Sequence, residues 1–322
     1  MNTLHLPKLC LDSELKTLQG TYLDDGWILH PITKDTDIFD SETGAKVLSF
    51  RKRSLVGTMD QLMNFVKLAK SSRGRGASAG PIDPESIYWS KKKLIKTRVS
   101  ATGYLKADGT PSNMTVNNNV FSSPIGYYNQ IKNLGLNLPC RLTHYTQTHM
   151  KQYQGTIPYI EQIGDWYNQL HKEAFDFQME RAMQRPQFRI GYTPFSTVTV
   201  NRTFRTGLHK DKGDYGGVAC LSVLEHGEYN GGIFLMPAYG IGVDLRGGDV
   251  LVADVHQYHA NTEIWTTPEQ DARNALLPKI HKDNISVGTL GAGTDYSRIS
   301  LVCYLRERMI ECPQPQGFLP KP

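Results

Sequence analysis

The sequence of 322 residues contains no long apolar run. No window approaches 18 consecutive apolar residues, the length needed to cross a bilayer. The N-terminus, MNTLHLPKLCLDSELK, also lacks a basic segment followed by an apolar stretch, which is the pattern of a secretory signal. We therefore expect neither secretion nor a membrane partner.

Cysteine is sparse and scattered, and no CxxC pair is present. The sequence therefore predicts neither a disulfide framework nor a structural zinc cluster. A reducing, intracellular compartment fits this usage. The five cysteines are Cys10, Cys140, Cys220, Cys303 and Cys312.

Acidic residues are scarce between positions 51 and 98. Twelve lysines and arginines there stand against three acids, so this window carries +9 while the whole chain carries only +5. Concentrated positive charge suits a phosphate-binding surface, although such a run is more often a solvated face. Residues 71–81, SSRGRGASAGP, have the composition of a flexible basic loop. The candidate contacts to a DNA backbone are Arg73, Arg75, Lys91, Lys92 and Lys93.

The pattern of apolar residues changes at Pro186. Before it, apolar spacings of three and four predict helices over about 59–70 and 158–184. After it, short β segments such as GVACLSVL and GDVLVAD alternate with glycine-rich turns, which predicts a sandwich or a small barrel. Residues 117–129, with Phe121, Tyr127 and Tyr128, are predicted to form a loop over a site.

The most informative stretch is TVNRTFRTGLHKDKGD, residues 199–214. On an extended segment His209 and Asp211, two residues apart, project to the same side. An imidazole and a carboxylate placed in this way supply two ligands of the 2-His-1-carboxylate triad that binds Fe(II). The spacing alone is common in proteins. His256 and His259, in HQYH, are both candidates for the third ligand.

Three blocks of the sequence resemble the TET/JBP family of Fe(II)- and 2-oxoglutarate-dependent dioxygenases, which hydroxylate methyl groups of DNA pyrimidines. FSTVT leads into His209-Lys-Asp211, GDVLV precedes His259-Ala-Asn-Thr, and Arg298-Ile-Ser300-Leu-Val-Cys-Tyr forms the last block. The resemblance covers roughly residues 140–309. Because the cysteine-rich portion and long insert of the animal enzymes are absent, the chain resembles the compact protist, fungal or phage members.

The resemblance implies an α+β fold with a double-stranded β-helix, or jelly-roll, core and flanking helices, one of them long and packed on the sheet. It places the dioxygenase core at 136–312. An N-terminal extension, 1–135, would hold the basic segment 51–98, and residues 313–322 would form a tail.

The same resemblance implies a set of site residues. A guanidinium is planar and pairs with a carboxylate through two hydrogen bonds, which suits the far end of 2-oxoglutarate. His256 becomes the weaker candidate for the third metal ligand. The implied iron ligands are His209, Asp211 and His259, the 2-oxoglutarate contacts are Arg298, Ser300 and, more weakly, Arg141, and the contacts to the target base are Asp214 and Arg306.

The implied reaction uses Fe(2+), 2-oxoglutarate and O2 on methylated double-stranded DNA, with the base flipped out of the helix. Asp214 as an acceptor and Arg306 as a donor complement 5-methylcytosine, so we expect oxidation to 5-hydroxymethylcytosine and further if turnover repeats. Alternatives are thymine hydroxylation, N6-methyladenine demethylation, a silent DNA-binding barrel and a structural zinc barrel. We expect a monomer, nuclear in a eukaryote or in the host cytoplasm for a phage.

Overall fold

A computed structural model describes residues 1–81, 88–90, 93–98, 103–106, 108, 110–115, 118–133, 136–281 and 289–313. Of residues 88–90, 93–98, 103–106, 111–115, 132–133 and 136–137 it describes the backbone only. Within these ranges no helix is long and apolar enough to span a membrane.

Strands dominate the described chain, and six α-helices flank them. The helices are α1 Asp12–Thr17, α2 Met59–Leu68, α3 His144–Thr148, α4 Met150–Leu170, α5 Lys172–Met183 and α6 Pro268–Asn274. The strands up to α3 are β1 Asn2–Leu6, β2 His30–Ile32, β3 Thr36–Asp40, β4 Lys46–Arg51, β5 Ser71–Ser72, β6 Tyr88–Ser90, β7 Lys93–Arg98, β8 Gly103–Lys106, β9 Pro111–Thr115, β10 Asn119–Tyr128, β11 Ile131–Asn133, β12 Leu136–Leu138 and β13 Arg141–Leu142. The later strands are β14 Thr197–Arg202, β15 Val218–His226, β16 Asn230–Gly231, β17 Phe234–Met236, β18 Ile241–Val243, β19 Val250–Asp254, β20 Ala260–Asn261, β21 Ile264–Trp265, β22 Thr289–Leu290 and β23 Ser297–Tyr304.

The largest sheet runs in the order β1-β3-β4-β19-β15-β23-β14-β10-β13, and a four-stranded sheet runs in the order β2-β18-β17-β20. The long strands at the centre of the large sheet are antiparallel, with Cys220 opposite Cys303 and Val198 also opposite Cys303. This arrangement is the predicted jelly-roll.

Side chains of the central strands alternate between two apolar cores. On β15, Ala219, Leu221 and Val223 join the core shared with the four-stranded sheet, while Cys220 and Leu224 join the core beneath the helices. This follows from the two-residue period of a strand. The sheet is therefore buried on both faces, with the jelly-roll interior on one side and α2 and α4 on the other.

The predicted helix over 158–184 is two helices. Helix α4 begins earlier, at Met150, and contains Pro158. Its buried residues, including Tyr159, Ile163 and Tyr167, pack on the sheet as the apolar stripe indicated. At His171 the backbone adopts φ −147° and ψ 65°, which ends the helical hydrogen bonds, and α5 then begins. The apolar stripe predicted that the helix packs on the sheet, but the apolar spacing did not indicate the break at His171.

The predicted loop over 117–129 is wrong, because Asn119–Tyr128 form the strand β10, which pairs with β14. Its polar residues are buried with partners: the Ser122 hydroxyl donates to Asn201 Oδ1 at 2.6 Å. Phe121 packs under the Arg202 guanidinium, 3.7 Å from ring centroid to Cζ. Long-range pairing thus overrides the polar composition.

Residues of the predicted N-terminal extension take part in the same sheet as the predicted core. Strand β4 pairs with β19, and β10 pairs with β14. A boundary at residue 136 therefore does not separate two sheets. The basic segment also contributes β7 to an antiparallel sheet of order β6-β7-β8-β9.

The scattered cysteines predicted no disulfide framework, but the structure contains one disulfide that the sequence did not indicate. Cys140, just before β13, is bonded to Cys312, 172 residues later. Cys10, Cys220 and Cys303 are free. Because connectivity across such a separation cannot be deduced from spacing, only the tertiary structure brings these two sulfurs together.

Candidate active site

Backbone pairing brings the three predicted iron ligands together. His209 and His259 exchange two hydrogen bonds, with N···O distances of 3.0 and 2.9 Å, and the Asp211 amide donates to the Val255 carbonyl at 3.0 Å. This short antiparallel bridge fixes both histidine side chains on one side. The two-residue spacing then places Asp211 on the same side.

The three side chains converge on one point. The Asp211 carboxylate lies 3.8 Å from His209 Nε2 and 3.6 Å from His259 Nε2. The Nδ1 atoms point away from this point, toward the carbonyls of Gly207 at 2.8 Å and Gln257 at 3.0 Å. A carbonyl only accepts, so each Nδ1 carries the hydrogen and each Nε2 presents its lone pair.

The electrostatics of the cluster suit a divalent cation. Burial lowers the pKa of His209 to about 4, which keeps the ring neutral. Burial by itself would raise the pKa of Asp211, but the contact with His259 and the charge that both histidines carry when protonated outweigh it and hold that pKa well below its usual range. For His259, burial lowers the pKa, yet Asp211 raises it by more. Two nitrogens and one carboxylate on one face are the donor set that Fe(II) oxygenases use.

These residues line a cavity of about 310 Å³, and Arg298 and Ser300 of β23 line it too. Arg298 is only 5% exposed. Its Nη2 donates to the carbonyls of Gly232 at 3.2 Å and Leu245 at 3.5 Å, whereas its buried Nε has no hydrogen-bond partner among the described residues. A buried guanidinium that lines a cavity and has an unused donor fits a carboxylate ligand.

Gly232 makes this placement of Arg298 possible. Its φ of 68° is left-handed, and a Cβ there would lie 3.2 Å from Arg298 Nε. A larger residue would strain the turn and crowd the guanidinium.

The predicted base contacts also meet in space, since Asp214 and Arg306 form an isolated antiparallel bridge beside the cavity. Asp214 is 5% exposed, and its Oδ2 has no hydrogen-bond partner within the part of the chain that the structure describes. Burial and then the charge of Asp211 raise the pKa of Asp214 well above its usual range. Arg306 is held by Asn129, which accepts from Nε at 2.8 Å, and by the ring of Tyr128, 3.8 Å below the guanidinium.

Three of the remaining candidates, Arg141, His256 and Arg73, do not line the cavity. The prediction for Arg141 is wrong in its geometry, because β13 pairs with β10 at the sheet edge and Arg141 Nη1 donates to the Pro139 carbonyl at 2.8 Å. His256 is exposed and does not line the cavity. Arg73 is exposed as well. Lys91 and Lys92 fall outside the described residues, and Lys93 is described in backbone only.

Sequence reasoning missed two contributors to the site. Arg75, expected on a DNA-facing loop, lines the cavity instead, and no described residue forms a hydrogen bond with its buried Nε. Its charge lowers the pKa of Asp211. Asn129, which orients Arg306, comes from the end of the segment predicted to be a loop. No local pattern could have marked either residue, because both act across more than 70 positions of sequence.

The fold and the cavity define a class: a double-stranded β-helix protein with a candidate 2-His-1-carboxylate metal centre. The chain belongs to the Tet_JBP family, the oxygenase domain of the 2OGFeDO superfamily, whose family model matches residues 123–307. That superfamily is defined by Fe(II) and 2-oxoglutarate, and the donor set described above fits the metal.

Curated relatives match over different shares of the chain. The thymine dioxygenase JBP1 of Trypanosoma brucei brucei is 35% identical over 146 residues, 44% of this chain and 17% of the relative. The bifunctional helicase and thymine dioxygenase JBP2 of Leishmania infantum is 30% identical over 275 residues, 84% of this chain and 22% of the relative. The chain thus spans about a fifth of the length of these relatives.

Among solved structures, NgTET1 in complex with 5mC DNA matches with a TM-score of 0.50 and 10% identity. The match covers 88% of this chain and 80% of that chain. At this identity the likeness concerns the fold, and it agrees with the jelly-roll architecture.

Proposed function

We propose that the chain is an Fe(II)- and 2-oxoglutarate-dependent dioxygenase that hydroxylates the methyl group of a pyrimidine in DNA. The observation that carries this proposal is that the His209, Asp211 and His259 cluster, the buried Arg298 and the Asp214–Arg306 pair all face one cavity. The proposal includes action as a monomer inside the cell, on methylated double-stranded DNA. The family assignment supports the cofactor pair.

The chain's own residues supply binding and orientation. His209 and His259 would bind the metal through Nε2 and Asp211 through a carboxylate oxygen. Arg298 would pair with the far carboxylate of 2-oxoglutarate, and Ser300, two residues on along β23, would add a hydroxyl. Bound iron with 2-oxoglutarate and O2 supplies the oxidant for a methyl C–H bond, and 2-oxoglutarate leaves as succinate and CO2.

A methyl group inside a duplex cannot reach such a buried centre, so the target base must leave the stack. The Asp214–Arg306 pair lies where such a base would be read. An ionised Asp214 accepts from the exocyclic amine of cytosine, and Arg306 donates to the ring nitrogen and carbonyl. This pattern supports 5-methylcytosine as the substrate, with about 1–3 kcal/mol of discrimination for a good pair.

A second candidate substrate is thymine, and one feature of the site favours it. Burial raises the pKa of Asp214, and a protonated carboxyl would donate to the thymine carbonyl where the cytosine amine would otherwise stand. The curated relatives named above are thymine dioxygenases by name. The protonation state of Asp214 in the loaded site therefore decides between the two bases.

Matched duplexes that differ only at the target position test both the proposed reaction and the proposed target base. The native chain and His209→Ala are incubated with 5-methylcytosine, thymine or N6-methyladenine DNA, iron, 2-oxoglutarate and O2, and nucleosides are quantified by mass spectrometry. We expect a hydroxymethylated pyrimidine with the native chain only. Faster oxidation of thymine would reject the 5-methylcytosine assignment. No oxidised pyrimidine above the His209→Ala background would reject the function itself.

A further inference from the structure

A half-exposed surface lies directly behind the loop that carries Asp214. Helix α5 packs on this loop, and Gln178, which is buried, donates from Nε2 to the carbonyls of Tyr215 at 2.7 Å and Val218 at 2.8 Å. The Phe177 ring stacks on the Tyr215 ring with centroids 5.0 Å apart and planes at 10°. Phe177 nevertheless remains 51% exposed.

Two arginines extend this surface toward the end of α5 and beyond it. Arg181 lies over the Tyr215 ring, 5.6 Å from its centroid, and donates from Nε to the Tyr215 hydroxyl at 3.2 Å. Arg185 lies just beyond the end of the helix and donates from Nε to the Cys312 carbonyl at 2.5 Å. Phe177 and Arg181, four residues apart, share one side of α5, and Arg181 and Arg185 line the same groove, so these side chains form a strip. We call Phe177, Arg181, Arg185 and Tyr215 the α5 surface.

The charge of this strip is not balanced by nearby acids. In the described part of the chain neither Arg181 nor Arg185 forms an ion pair, and the acid Asp176 of the same helix is paired with Lys172 at 2.5 Å. Among the described residues the hydrogen bonds of both arginines go to neutral oxygens, including Gln184 Oε1 at 3.0 Å from Arg181 Nη1. The guanidinium groups are therefore oriented while their charge remains available to an anion.

The position of the strip relates it to the cavity. Tyr215 follows Asp214 directly, and its amide donates to the Leu305 carbonyl at 2.8 Å, next to Arg306. Arg181 and Arg185 border a narrow groove with Leu305 and Met309. The α5 surface therefore adjoins the backbone segments that carry Asp214 and Arg306.

We propose that the α5 surface binds the DNA backbone next to the target nucleotide, with Arg181 and Arg185 contacting phosphates and Phe177 offering a flat apolar face to the adjoining sugar or base. The inference rests on the proposed function. Oriented guanidinium groups suit phosphate oxygens, and contacts of this kind set position without reading sequence. Exposed aromatic rings beside such arginines are typical of surfaces that meet unstacked nucleic acid.

The test compares three double variants with the native chain. Arg181→Gln/Arg185→Gln removes the charges, and Arg181→Lys/Arg185→Lys keeps them. Lys8→Gln/Lys16→Gln removes two exposed charges from the N-terminal segment and controls for net charge. Binding to a labelled 25-base-pair duplex with one methylated pyrimidine is measured by fluorescence anisotropy between about 50 and 200 mM salt. Thermal unfolding confirms that each variant is folded.

We expect the glutamine variant to bind more weakly than the other two, with the slope of log K against log salt flattened by about 1.8 for two lost phosphate contacts. The lysine variant should retain most of the slope. DNA-independent conversion of 2-oxoglutarate to succinate should be unchanged in all three, because these residues do not line the cavity.

Equal binding by the glutamine variant and the N-terminal control would overturn the inference and leave the proposed function intact. An equal loss in the lysine variant would also overturn it, since the role would then be packing. If the native chain itself fails to bind or oxidise the duplex, the proposed function falls, and the inference falls with it.

Discussion

Replacement of Arg298 by methionine should weaken the binding of 2-oxoglutarate strongly while leaving metal binding in place. Arg298 is 5% exposed, its guanidinium donates to two backbone carbonyls, and its buried Nε has no hydrogen-bond partner among the described residues. In the metal-loaded protein it would be the partner of a carboxylate taken out of water. Methionine has a similar length but no donor.

The size of the effect follows from the burial of Arg298. Removing one partner of a buried ion pair costs about 3–5 kcal/mol, because the other charge is left uncompensated. At about 1.4 kcal/mol per factor of ten, the dissociation constant should rise roughly 100- to 4000-fold. Arg298→Lys keeps the charge but loses the planar fork, so its loss should fall between the native chain and the methionine variant.

Isothermal titration calorimetry of anaerobic, Mn(II)-loaded protein with 2-oxoglutarate measures this directly. Arg246→Met is the matched control: Arg246 follows Leu245, pairs with Asp244 at 2.6 Å and does not line the cavity. We expect the control to bind 2-oxoglutarate as the native chain does. If Arg298→Met binds within about threefold of native, the carboxylate is held elsewhere, and Arg75 becomes the residue to test.

Three further predictions concern the metal, the base side and the basic window. His209→Ala should lower the affinity for Mn(II) more than about 100-fold, since even the hydrogen-bond partners of metal ligands contribute roughly 10- to 100-fold. A Mn(II) titration followed by electron paramagnetic resonance measures this affinity, and a retained affinity would refute the metal-binding triad. Asp214→Asn should raise the melting temperature of the metal-free protein at pH 7, by about 2 °C for each kcal/mol gained in the free energy of unfolding. The reason is that burial raises the pKa of Asp214 in the folded state, so the native chain loses stability as the pH rises above the unfolded-state pKa of about 4. Below that pH the native chain and the Asp214→Asn variant should melt at the same temperature. An equal melting temperature at pH 7 would contradict this prediction. Changing Lys91, Lys92 and Lys93 together to glutamine should weaken DNA binding across sequences and flatten its salt dependence by about one unit of slope per lost phosphate contact, and an unchanged slope would mark the segment as a solvated face.

Local sequence patterns were sufficient for features that depend on a few neighbouring residues. The two-residue spacing of His209 and Asp211 puts both on one side of an extended segment, and the same spacing puts Arg298 and Ser300 on one side of β23. Short apolar segments between glycine-rich turns indicated a sandwich or a small barrel, because the period of a strand is visible in its own residues; the jelly-roll followed from the family resemblance. The apolar stripe of α4 likewise predicted a helix packed on the sheet.

Features that depend on distant partners were decided only by the tertiary structure. Polar β10 is a strand because β14 supplies its hydrogen bonds, and Cys140 meets Cys312 because the chain returns to the same sheet edge. The two arginines Arg75 and Arg141 also could not be placed from the sequence. Arg75 lines the cavity although it was expected to contact DNA, and Arg141 lies outside the cavity although it was expected to contact 2-oxoglutarate. The sequence determined which side chains could bind metal and anion. Long-range backbone pairing decided which of them share a cavity, because contacts between residues far apart leave no periodic trace in either segment.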